Sequence, residues 1–371
     1  MLFATYSNII SLTYFFTFIY VILITSLITY TIPLFTSSGN NSSSNHKDIF
    51  SVLHGNSIIT FLCTPFAILV LSLISLVLPS TSLWFGHIVV SNFQLKSTFF
   101  LVFSMILIIV YYSYSYFSSR ETYDYFITQI NIFYWSSLLF YSNSLITMIF
   151  IIEVQSALLF LILVTSTMSS NYFYRNLDFS SYNFFANQMP YAVLNSIMFF
   201  FWVSLLTSLN LFLFTIFLYQ KLFSFDWYLI EHLFIYFISS SGYLDIFGFS
   251  IYWFILLFSI FTKSGIAPFF IWKPTFFKGI SLNLLYFYIC FFYYSIFLYF
   301  IYLMTNIMHV VLHYYAYVLI TLVMTSIFVI ISIMCEASYI KTFLAVSSIL
   351  NSILVMLALS TPSSQDLLFF L

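Results

Sequence analysis

The stretch FSIFTKSGIAPFFIWKPTFFKG, Phe258–Gly279, sets Lys263 inside an apolar run with Pro268 five residues later. A lysine at the centre of a membrane helix costs about 2.5–3.5 kcal/mol on insertion scales, so such residues mark ion or proton paths. Pro268 lacks the amide hydrogen that the helix ladder needs and predicts a kink or break at membrane depth. An amine beside an interrupted helix is the arrangement expected of a transporter.

The composition of the whole chain fits that environment. Of 371 residues, 63% are hydrophobic, 24% aromatic and 5% charged. A soluble domain is roughly 25% charged, so the chain reads as an all-α, polytopic membrane protein embedded in lipid. Its 51 Phe and 31 Tyr against 7 Gly are unusual for a helix bundle, where small residues allow close approach. Phe, Tyr and Ile have AT-rich codons, so a biased organellar gene accounts for the balance. Cys63, Cys290 and Cys335 lack CxxC spacing and read as core residues. A net charge of −1 with scattered basic residues argues against nucleic acid as a partner.

Apolar runs predict about ten spans, near 9–35, 58–79, 98–118, 126–141, 145–168, 190–219, 248–272, 281–305, 314–335 and 340–361. The first is too long for a signal-peptide core and reads as a retained helix. The Ser/Asn-rich run 37–47 reads as a loop, and 222–245 as an interfacial helix. Lys47, Arg120, Arg175, Lys273, Lys278 and Lys341 fall in loops after odd-numbered spans, and only Lys96 and Lys221 after even-numbered ones. The positive-inside rule then puts the odd loops on the matrix or cytoplasmic face, with both termini opposite.

Glu153 lies in ITMIFIIEVQSALLFLILV, Ile146–Val164, apolar on both sides. It reads either as a carboxylate that snorkels or pairs with Gln155 or Ser156, or as a buried group that trades protons with water chains. Lys263 reads either as a long side chain reaching a helix end or as an amine whose charge depends on a partner such as Glu153. Glu336 and Lys341 read as a loop or interfacial pair. His309 and His313 have i, i+4 spacing but no neighbouring carboxylate or cysteine, so no metal site is expected. No phosphate-binding loop, dinucleotide turn, haem motif or nucleophile motif is present, and no cofactor is expected in this chain.

Three segments together resemble the antiporter-like membrane subunits of respiratory complex I (NADH dehydrogenase), and among these subunit 2. Lys263-Ser264-Gly265-Ile266-Ala267-Pro268-Phe269, with Trp272, Pro274 and Gly279, is similar to the family's lysine-to-PFHFW segment in the seventh helix. Glu153-Val154-Gln155-Ser156 is similar to its fifth-helix glutamate segment, and the run Ile340–Ile349 to its KR-x-LAYSSI segment in the tenth. The family's histidine is Phe270 here, and the arginine after Lys341 is Thr342. Fourteen residues beyond Gly279, where the family places an eighth-helix lysine, stands Tyr293, and Leu284–Leu303 carries no charge.

The resemblance implies a broken seventh helix and three regions. These are an N-terminal three-helix segment over 1–125, a first five-helix repeat over 126–305, and the start of a truncated second repeat over 306–371. The family has about fourteen helices in two inverted repeats, so a separate polypeptide is expected to supply the remaining helices. It also implies a place in the mitochondrial inner membrane with the termini on the intermembrane-space side. Its partners would be other membrane-arm subunits, and its task proton translocation coupled to NADH oxidation by quinone, with no redox chemistry in this chain. Glu153 would be the gating carboxylate, Lys263 the relay amine, Lys341 a charge at the repeat junction, and Pro268 the helix break. The alternatives are a scaffold subunit of the same complex that has lost its channel, or a free-standing cation/proton antiporter.

Overall fold

A computed structural model describes 81–83, 86–90, residues within 94–108, 122–175, 183–239, 243–266, 268–307, 309–336 and 339–360. The expected spans 9–35 and 58–79 and the loop 37–47 lie outside the described residues. The described chain is mostly helical. Five of its helices are long and apolar enough to cross a membrane: Leu145–Val164, Val193–Gln220, Leu284–Thr305, Ala316–Met334 and Ile340–Leu357. That is consistent with a membrane protein.

Contacts divide the chain into two compact units. The first takes in the described residues up to Asn143, with Val154–Ser170 and Tyr286–Phe292. It holds a small antiparallel hairpin, β1 (Thr81–Leu83) and β2 (Ile88–Val90), which the sequence reading did not anticipate. Helix α1, Thr122–Tyr141, ends against it. There the Asn143 amide donates to the His87 carbonyl at 2.8 Å and its side chain to Gly86 O at 3.1 Å.

The second unit, Ser144–Glu153, Asn171–Leu285 and Tyr293–Leu371, carries Glu153, Lys263, Pro268 and Lys341. In chain order the next helices are α2 (Leu145–Arg175), α3 (Asn183–Leu222), α4 (Trp227–Ser239), α5 (Tyr243–Ser264) and α6 (Trp272–Gly279). Then come α7 (Leu282–Phe287), a π-helical stretch Tyr288–Tyr293, α8 (Tyr294–Tyr302) and a second π-helical stretch Leu303–Ile307. The last two are α9 (His309–Glu336) and α10 (Ile340–Ser360). Helix α4 occupies the region expected to form an interfacial helix. Polar side chains in these apolar helices bond their own backbone: Ser259, Thr262 and Ser264 donate to the carbonyls of Ile255, Phe258 and Ile260. A hydroxyl satisfied in this way adds little cost in an apolar setting.

The break expected at Pro268 begins earlier. Helix α5 ends at Ser264, and Gly265 takes φ +65°, the left-handed region that suits glycine. The Ile266 amide reaches back to the Phe261 carbonyl at 2.9 Å and the Gly265 amide to Thr262 O at 3.3 Å. This is a Schellman ending, which uses carbonyls the helix would otherwise leave bare. Pro268 lies within the non-helical link, where the Phe269 amide bonds Ile266 O at 3.0 Å. Gly265 therefore terminates the helix, and Pro268 sits in a turn already formed.

Beyond the link, α6 packs on α3 and α10. Phe200 of α3 stacks on Phe276 at 5.4 Å and meets Trp272 edge-on at 6.3 Å. Such pairs contribute about 0.5–1.5 kcal/mol each beyond area burial. A Cβ at Gly265 would lie 3.0 Å from Lys273 Cδ and 3.4 Å from Trp272 Cζ2, so the α6 side chains approach the break too closely for a larger residue. Gly265→Ala should therefore destabilise the protein by about 1–2 kcal/mol from backbone strain alone, with more from the contact. A lower midpoint on thermal unfolding in detergent is the expected result.

Candidate functional site

Helix α5 carries a lysine into its last turn. Lys263 is buried, and its Nζ donates to Glu153 Oε1 of α2 at 2.7 Å. The Schellman ending places Lys263 one residue inside the helix terminus, where the dipole favours a cation. The carboxylate supplies the countercharge, and 28% of its side chain stays uncovered against 7% for the lysine. The pair thus has a closed end and an open end. Of the partners weighed for Glu153 from the sequence, the structure brings it to Lys263. Gln155 is fully buried, and its amide has no hydrogen-bond partner among the described residues.

The link is fastened from the far side. Trp272 Nε1 donates to the Thr262 carbonyl at 2.9 Å, one residue before Lys263. Phe269 meets Phe258 edge-on at 4.5 Å, and Phe261 meets Phe300 at 5.5 Å. These contacts hold the turn of α5 that presents the amine.

The sequence reading placed Lys273 in a loop and counted it toward orientation. In the structure it lies in α6 and is 0% exposed. Its Nζ stands 3.6 Å from the centroid of the Tyr293 ring and 6.0 Å from that of Phe277. It has no hydrogen-bond partner among the described residues. Tyr293 is itself buried, closes the π-helical stretch Tyr288–Tyr293, and lies beside Ser352 of α10. A desolvated cation–π contact is worth about 2 kcal/mol. The ring therefore offsets part of the cost of burying the amine. Lys278 lies in the same helix and Lys341 in the first turn of α10, so these three lysines do not occupy the loops in which the orientation tally counted them.

Lys341 lies in the first turn of α10, half-buried, and its Nζ donates to the Ile280 carbonyl at 2.6 Å, just past α6. Beside it Lys278 stands over the Tyr339 ring at 5.6 Å. Lys341 thus ties two helix ends together. His309 falls on α9, and no cluster of three or more metal-binding side chains occurs among the described residues.

No protein-family model matches this chain, and a search of curated proteins finds no match either. The site therefore rests on its own geometry: one paired lysine at the end of α5, one ring-capped lysine past the link, and a third lysine tying α6 to α10.

Removing one member of a buried ion pair costs about 3–5 kcal/mol, because it strands the other charge. Glu153→Gln and Lys263→Met should each destabilise the protein, and the double variant should be more stable than the sum of the two predicts. Thermal unfolding of the three variants in one detergent measures that coupling. Strict additivity would mean that the contact contributes nothing.

Proposed function

We propose that this chain is a membrane-arm subunit of respiratory complex I, NADH:ubiquinone oxidoreductase, of the subunit 2 type, in the mitochondrial inner membrane. Its task is to contribute to proton translocation coupled to NADH oxidation by quinone, and it carries out no electron transfer itself. The observation that best supports this reading is the Glu153–Lys263 ion pair at the end of a broken helix.

The chemistry follows from the pair. While Glu153 is ionised and close, it stabilises the ammonium of Lys263. When the carboxylate is drawn away or takes up a proton, the amine loses that support and yields its proton to water. Return of the carboxylate restores the first state. Charge displacement elsewhere in a complex can drive such a cycle without any bound cofactor here. The uncovered side of Glu153 is the end at which protons would enter or leave. The exposed apolar side chains of α3, among them Trp202, Leu209 and Phe212, suit lipid or neighbouring membrane subunits.

Lys263→Met in the assembled complex should lower the number of protons moved per NADH oxidised while the complex still assembles. The measurement is proton uptake by reconstituted vesicles against NADH consumption. An unchanged ratio in a fully assembled complex would transfer the chain to the scaffold reading. Free migration of the chain, apart from other respiratory subunits on a native gel, would instead favour a separate antiporter.

A further inference from the structure

We propose that Lys273 and the ring of Tyr293 form a second proton-holding site, in series with the Glu153–Lys263 pair and across the helix break from it. The inference rests on the proton-translocation reading and names a further residue for it.

The Lys273 side chain does not behave as a surface lysine. A snorkelling lysine buries its stem and exposes its amine, yet Lys273 is 0% exposed and its Nζ is buried. Nor is it held as a structural lysine is, by a carboxylate or a set of carbonyls: no acceptor contacts it among the described residues. What faces it is the π-cloud of Tyr293 at 3.6 Å, with Phe277 further off. A ring face favours the ammonium without taking a proton from it. An apolar residue of the same length would fill this place without a charge to bury, so the amine needs a reason to be there.

The route to that place is also built. The Lys273 stem crosses Gly265, where a Cβ would come within 3.0 Å of Cδ. That glycine lies two residues after Lys263, so the two lysine-bearing turns meet at the break. Tyr293 closes a π-helical stretch, a local widening often found at functional sites. Tyr293 is thus in contact with an amine from another helix. A proton passing between the sites breaks an N–H bond at one lysine and makes one at the other, with water as carrier. Positive charge moves with it, and no oxidant or reductant is involved.

The test compares proton uptake per NADH in vesicles containing the assembled complex with Lys263→Met, with Lys273→Met, and with Lys273→Met combined with Tyr293→Lys. Thermal unfolding is measured in parallel. Lys273→Met should lose uptake as Lys263→Met does, with its unfolding midpoint preserved or raised. The double variant, which moves the amine to the other side of the same contact, should recover uptake. Normal uptake by Lys273→Met beside a loss in Lys263→Met overturns this inference and leaves the function standing. Normal uptake in both overturns the function itself. Loss of uptake together with a lowered unfolding midpoint and no recovery in the double variant overturns the inference in favour of a packing role.

Discussion

Lys263 and Glu153 meet at 2.7 Å where α5 stops, and the arrangement of the second unit follows from what that contact requires. An ion pair in an apolar setting holds only if its geometry is fixed, because desolvation can exceed the Coulombic gain. The helix must end close to the lysine so that its dipole adds to the support, and Gly265 supplies that ending. The chain must then reverse without leaving carbonyls bare, which the Schellman bonds and the Trp272 indole provide. Finally the turn must not slide, and the aromatic contacts of Phe258 with Phe269 and of Phe200 with α6 hold it. The many phenylalanines thus do at this place what small residues do in other bundles: they fix distances between helices.

Much of this was legible from residue types. Apolar length marked the helices: the runs 145–168 and 340–361 correspond to Leu145–Arg175 and Ile340–Ser360. Cost marked the site, since a charge in an apolar run is conspicuous at any position, and Lys263 and Glu153 each stood out before their contact was known. Proline marked the break approximately. The glycine three residues earlier carried the sharper signal, because a left-handed residue ends a helix more definitely than a missing amide does.

Lys273 shows where such reading stops. It stands beside a proline and five residues from Lys278, in a run that looks like a charged turn. Sequence hydropathy averages over neighbours and cannot tell that α6 lies against α3 and α10 with this one amine turned inward. Nor does the absence of charge in Leu284–Leu303 reveal that a cation from α6 lies on the face of Tyr293. The hairpin β1–β2 escaped for a different reason: its strands of three residues each are too short to show an alternating pattern.

Helix α6 is pinned at both ends. Trp272 at its start is bonded to the end of α5, and the residue just past its end is bonded to Lys341 of α10. A helix is stiff along its axis, and eight residues make a rod of about 12 Å. In mechanical terms α6 is a short strut between two joints. The first turn of α10 is thus linked through α6 to Thr262, one residue from the paired lysine. The start of α10 and the tip of α5 therefore share one eight-residue helix as their connection, although they lie far apart in the sequence.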